Sequence, residues 1–347
     1  MLNTIIKQIA SIFHILDNYS LPVIAAKLHF KKYHKHNVYF FLVCLMYSIT
    51  SNSIASNKYS GTVVDAMAQL SPDVPFDLVL ENYRLAGISK VLMYPSQSVE
   101  NFEELVLKAD GLIVPLDSAK KFSSKANQFL EITNFKGAVG LGEVIVQHHP
   151  MRGDYGFGPY EFKGFTTRLK THPAVKAGLK RGYPIFLHLE VREYPDEYET
   201  VLEDLKWLLK ENKEINFILA SLGQFRGNVL KNLFQEHSNL FVSLGFTNGI
   251  TKKGQANHIA KGGVGSQNWI NMHKAGTWRP AWKELIELFP ERFLLSFYNV
   301  FNPHYKKRMH KLNDFYMRNL GDLSPSNANL IACGNAKRLF DLDVSCN

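Results

Sequence analysis

The chain has 347 residues, is 46% hydrophobic and 20% charged, and carries a formal net charge of +9. That is enough apolar sequence for a large core, and neither low-complexity tracts nor solenoid-period repeats occur. The basic residues are scattered among acidic ones with no aromatic-interleaved basic stripe, which argues against nucleic acid as a partner.

Residues 1–55 stand apart as a leader. They hold Lys7, Lys27, Lys31, Lys32 and Lys35 against Asp17 alone, so much of the net charge belongs to them. Ile5, Ile6, Ile9, Ile12 and Phe13 follow helical spacing, which fits either an interfacial amphipathic helix or a start codon placed too far upstream. The apolar run 38–47 follows Lys31, Lys32 and Lys35 and precedes Ser53-Ile54-Ala55. A basic flank, a short apolar stretch and a small-residue exit describe a secretory signal. The run is short for a span of roughly 20 apolar residues. The expectation is an exported protein, periplasmic or secreted, with no stable membrane span once the signal is cleaved. An uncleaved run would instead leave a membrane anchor.

The second expected domain is 56–347. Apolar runs occur at 61–65, 89–94, 110–114, 137–146, 183–188, 216–220, 239–244 and 292–297, with amphipathic stretches such as Glu199 to Leu209 and Trp282 to Phe289 between most of them. Strands alternating with helices predict an α/β fold with parallel pairing, and eight runs predict a (β/α)8 TIM barrel. A doubly wound open sheet is the structural alternative. Long connections are predicted at 147–170 and 245–277, over the C-terminal mouth of such a barrel. The second fits a lid or a loose insertion equally well, and its Gly262-Gly263-Val264-Gly265 does not lead from a strand into a helix, as a phosphate cradle would. His258 and His273 in it are expected to be exposed. Trp278 to Trp282 reads as the start of the seventh helix.

Several strand ends carry a more specific pattern. Val64-Asp65-Ala66-Met67-Ala68-Gln69-Leu70 resembles the first-strand motif of the amidohydrolase superfamily. Gly140-Leu141-Gly142-Glu143-Val144 is similar to its fourth strand, Phe186-Leu187-His188-Leu189-Glu190 to its fifth, and Leu219-Ala220-Ser221-Leu222-Gly223 to its sixth. Pro290 to Ser296 resembles the approach to the eighth strand, and Ile331 to Phe340 the closing helix. The resemblance covers roughly 61–341 and implies an amidohydrolase-type barrel, a metal-dependent hydrolase scaffold.

The same resemblance implies metal ligands that this chain mostly lacks. Met67 and Gln69 stand where the first-strand histidines belong, Ser221 replaces the sixth-strand histidine, and Tyr298, beside Asn299, falls at the eighth-strand aspartate. A thioether is a poor ligand for a borderline cation, and neutral Gln and Ser oxygens are weak ones. Glu143 and His188 remain as candidate catalytic residues, an acid/base pair if the strands converge. Glu190 and Arg192 are candidates for contact with a polar substrate. A rebuilt centre for a single divalent metal, zinc or manganese, would use Glu143, His188 and one of His148 and His149. Asp65 reads as a structural carboxylate. No Gly-x-Ser-x-Gly elbow accompanies Ser221, so serine hydrolysis is unsupported.

Cys44 leaves with the leader if cleavage occurs. Cys333 and Cys346 would then pair in an oxidising compartment, or else remain a buried thiol and a loose one in the tail. The functional expectation is therefore an exported protein of hydrolase ancestry with a degenerate metal site. It would hydrolyse a C–N or C–O bond, or decarboxylate, in a small polar substrate. The alternative is a non-catalytic barrel that binds a ligand or partner at its mouth.

Overall fold

Strands that are buried on both faces should be apolar at consecutive positions, with the two faces packing against different things, and the runs of this chain form such strands. The computed structural model describes residues 58–96, 99, 101–120, 131–148, 151–154, 159–162, 165–247, 270–300 and 302–347. The leader, its apolar run 38–47, His149, His258 and the Gly262-Gly263-Val264-Gly265 motif therefore lie outside the described residues. All the described residues belong to one unit, Ser56–Asn347.

The main elements in chain order are β1 (Val63–Leu70), α1 (Phe76–Leu85), β2 (Ile88–Pro95), α2 (Phe102–Lys108), β3 (Ile113–Pro115), β4 (Leu141–Ile145), α3 (Pro173–Arg181), β5 (Ile185–His188), α4 (Tyr198–Glu211), β6 (Phe217–Ala220), α5 (Gly227–Glu236), β7 (Leu240–Ser243), α6 (Pro280–Leu288), β8 (Phe293–Leu294) and α7 (Met309–Gly321). After α7, two short helices, Pro325–Asn329 and Asn335–Phe340, flank a π turn. Each of the eight predicted runs holds one strand. The strands pair in parallel as β1-β2-β3 and as β4-β5-β6-β7-β8. The order follows the chain, without the reversal that marks a doubly wound sheet. Backbone bonds also connect the edges of the two sheets. Asp117 bridges to Leu141, and Ala66 N–H donates to Leu295 O at 3.0 Å.

Alternation along the strands splits the core in two. Val91, Met93, Ile185, Leu187, Phe217, Leu219, Leu240 and Val242 pack toward the helices. Leu92, Tyr94, Phe186, Ile218, Ala220 and Phe241 form a second, inner cluster. The C-terminal segment closes one end of that cluster, where Phe340 stacks on Phe186 at 5.8 Å. Cys333 and Cys346 are joined in a disulfide there.

Two strands depart from strict alternation. Between Asp65 and Ala68 β1 takes three steps while β2 takes two, from Val91 to Met93. Between Leu141 and Val144 β4 likewise takes three while β5 takes two, from Ile185 to Leu187. One extra residue in a strand re-aims its neighbours. Ala66 and Met67 consequently both join the inner cluster.

The predicted long connection 147–170 is not bare loop. Gln147–His148 pairs with Phe165–Thr166, and Met151–Asp154 pairs with Pro159–Phe162, both antiparallel. In the other connection, His273–Lys274 pairs with Thr277–Trp278. His273 is 2% exposed, with its ring 4.2 Å from that of Trp278 and 4.6 Å from Phe315, which corrects the expected exposure. Its aromatic neighbours come from outside the polar loop composition that suggested solvent. Trp278 to Trp282 does start a helix, with Pro280 in the first turn of α6. No helix among the described residues is long and apolar enough to cross a membrane.

Candidate functional site

His188 ends β5 on the same face as Phe186, two residues along, and so points into the inner cluster's polar end. Glu143 arrives from the irregular turn of β4. The carboxylate of Glu143 accepts from His188 Nδ1 at 2.7 Å, and Glu190 Oε1 accepts from His188 Nε2 at 3.0 Å. Tyr298 OH donates to Glu143 at 2.6 Å, and Tyr94 OH donates to its other oxygen at 2.9 Å. The side chains of His188, Glu143 and Glu190 are 5%, 6% and 1% exposed.

Two glycines make this arrangement possible. A Cβ on Gly142 would lie 2.6 Å from Tyr94 Cγ, and one on Gly245 would lie 2.7 Å from Tyr298 Cβ. Both tyrosines thus cross glycine backbone to reach Glu143. Tyr298 itself holds φ at 48°. The segment is clamped from two sides: Asp65 accepts from Phe297 N–H at 3.0 Å, and Arg308 donates to the carbonyls of Phe297 and Tyr298 at 2.9 Å each. Asp65 is fully buried and also accepts from Tyr83 OH at 2.8 Å. Its predicted structural role agrees with these contacts.

The electrostatics follow from the contacts. Burial alone would pull His188 below its ordinary value, but Glu143 and Glu190 outweigh burial and raise it to about 10. Burial pushes Glu143 up, yet the His188 charge and the bonds from His188, Tyr298 and Tyr94 hold it below the ordinary value. Held that high, the His188 ring is protonated near neutrality, and both of its nitrogens can then donate. Burial, with only partial relief from its hydrogen bonds, raises Asp65 to about 7.

The sequence-predicted residues therefore divide. Glu143, His188, Glu190 and Tyr298 come together in one hydrogen-bonded cluster. His148 joins it by stacking on His188, with ring centroids 5.1 Å apart and planes 10° apart. Met67 is fully buried in the inner cluster. Gln69 sits near the end of β1, half-buried, its N–H donating to Asn299 O. Arg192 is half-buried in the turn after Glu190. Tyr94 is the residue that sequence reasoning missed. Its one signal was an aromatic at the end of the second apolar run.

Ser221 opens the most unusual backbone of the site. It follows Ala220, which stands opposite His188 in the ladder, and its N–H donates to Ser243 Oγ at 3.3 Å. Ser221, Leu222, Gly223 and Gln224 all have positive φ, at 52°, 64°, 58° and 59°. A left-handed conformation costs a non-glycine residue about 1–2 kcal/mol.

The resemblance implies a divalent cation, and the donor set can be tested for it. His148, His188 and Glu190 each bring one ligand atom within 4.8 Å of the others. The trio thus includes Glu190 where the sequence suggested Glu143. A histidine binds metal through a lone pair in the plane of its ring, at about 2.1 Å. Stacked rings with near-parallel planes do not aim two such lone pairs at one point. Among the described residues, the arrangement fits a resident metal poorly.

An apolar-lined cleft of about 350 Å³ lies between α5 and α6, flanked by Arg226, Lys231, Trp282, Leu285 and Leu288. None of the cluster residues lines it.

Among known proteins, no family model matches the chain. No curated protein matches it either. Among solved structures it is similar to an uncharacterized TIM-barrel protein from Bordetella bronchiseptica. The two share 12% identity over 81% of this chain and 98% of the other, with a TM-score of 0.49.

Proposed function

We propose that the two parallel sheets close into one (β/α)8 barrel of the amidohydrolase type, and that the protein is a non-catalytic member of hydrolase ancestry that binds a small polar ligand at the barrel mouth. The observation that carries this reading is the closed hydrogen bonding of His188. An imidazolium held by Glu143 and Glu190 has no lone pair to act as base or ligand. Its proton affinity lies too far above neutrality for efficient transfer near pH 7. Among the described residues, the near-parallel rings of His148 and His188 argue against a metal-bound water as the nucleophile. The sequential strand order and the edge bonds Asp117–Leu141 and Ala66–Leu295 support closure.

Export is part of the same proposal. The basic-apolar-small pattern of residues 31–55 supports a cleaved signal, and the Cys333–Cys346 disulfide supports an oxidising compartment. Nucleic acid is not among the proposed partners.

The reading is tested by screening small polar solutes against the protein by ligand-observed NMR, with His188→Ala in parallel. Solutes that bind the native protein, are lost in the variant and are recovered chemically unchanged are the expected result. A solute that the protein consumes would contradict it and restore the catalytic reading for Glu143 and His188.

A further inference from the structure

We propose that the turn Ser221–Gln224 is a recognition subsite for the neutral, hydrogen-bonding end of that ligand, a group with an N–H beside a carbonyl, as in a primary carboxamide. This deepens the ligand-binding reading above and rests on it.

Three observations carry the assignment. The Gln224 side chain is 1% exposed, yet neither its Oε1 nor its Nε2 has a hydrogen-bond partner. Ser221, at 4% exposed, has a hydroxyl oxygen in the same condition. Buried polar groups are ordinarily satisfied, so an orphaned amide three residues after an orphaned hydroxyl in one turn calls for a partner from outside the chain. The backbone that presents them is four consecutive left-handed residues, of which only Gly223 is glycine. Strain of that kind concentrates where a site needs it. Finally, the turn is in the right place. Ala220 stands opposite His188, and neighbouring strands lie about 4.8 Å apart. The subsite thus starts beside the Glu143–His188–Glu190 cluster.

The chemistry of the ligand follows from the groups offered. Gln224 presents a two-proton donor and an acceptor side by side, and Ser221 adds a hydroxyl that serves either way. A carboxamide answers all of these with its own N–H and C=O. Residues 221–225 carry no charge, and an unpaired ionic group would be costly to bury there. The adjacent cluster holds two carboxylates against one imidazolium, which disfavours an anionic ligand further.

The test uses the full chain and three probes of one size class: propionamide, N,N-dimethylpropionamide and propionate. The Gln224 side-chain NH2 resonances, assigned by their absence in Gln224→Leu, are followed during each titration. Propionamide is expected to move them saturably, while the dimethylated amide and the anion leave them in place. Gln224→Leu is expected to weaken propionamide at least tenfold, measured by saturation transfer, and to leave the melting temperature equal or higher because two orphaned atoms are removed. A Gln224 signal unmoved by propionamide, an equal response to the dimethylated amide, or a lowered melting temperature in Gln224→Leu would overturn the proposal. A silent Gln224 beside a responsive His188 would overturn this subsite alone and leave the ligand-binding reading standing.

Discussion

His188 is the residue on which the account turns, because its environment fixes its charge. Raised above its ordinary 6.5 to about 10 by two carboxylates, it contributes stability that is fully present below pH 6.5 and is lost as pH rises toward 10. Glu143, held below its ordinary 4.5, contributes stability present above pH 4.5 and lost as pH falls through its folded value. Asp65 complicates the middle of the range. Raised from 3.8 to about 7 by burial, it costs stability as pH rises between those values. The His188 effect therefore stands alone above about pH 7. Urea unfolding at pH 7 to 10 should show stability falling in the native protein and a flatter profile in His188→Gln. Parallel profiles would show that the imidazolium is not held as described. At this scale the sequence was informative about identity and silent about pairing. Glu143, His188 and Glu190 stood out as polar residues at the ends of apolar runs. The donor Tyr94 did not, since its partner lies 49 residues away and nothing local marks it.

At the scale of elements, the eight strands were legible because apolar runs alternating with amphipathic stretches leave few other solutions. The two irregular strands were not. Strict alternation from Leu141 would turn Glu143 toward the helices, and only the extra residue in β4 re-aims it. Gly142 is the companion of that irregularity, since Tyr94 crosses it. Gly142→Ala, with a Cβ 2.6 Å from Tyr94 Cγ, should destabilise by about 1–3 kcal/mol through overpacking, read as a lower urea midpoint at unchanged slope. A midpoint equal to that of the native protein would mean that Tyr94 can move aside without loss. The hairpins within 147–170 were also missed. Their Gly-rich and Pro-rich composition reads as loop, whereas cross-strand pairing depends on partners up to 19 residues apart, such as Gln147 and Thr166.

For the whole molecule, the two-part core shows what holds the frame of parallel strands together. Apolar contacts on both faces of the strands hold the frame, and the C-terminal helix with its disulfide closes one end. A metal is not needed for any of these. Cys333 and Cys346 close a 13-residue separation, and a loop of that size contributes about 3 kcal/mol. Cys346→Ser, or reduction of the native protein, should lower the melting temperature by several degrees. An unchanged melting temperature in both would mean that the tail adds nothing to the closure. The sequence left this pairing open because spacing alone does not bring two cysteines together; the helix Asn335–Phe340 and the returning tail do.

The most direct test of the central claim is the metal content of purified residues 56–347, measured by mass spectrometry before and after incubation with zinc and manganese salts. Well under one equivalent is expected in both cases, because the His188 ring lies nearly parallel to that of His148 and the two cannot aim lone pairs at one ion. One equivalent held through dialysis, and lost in His188→Ala, would contradict it and establish a rebuilt metal centre.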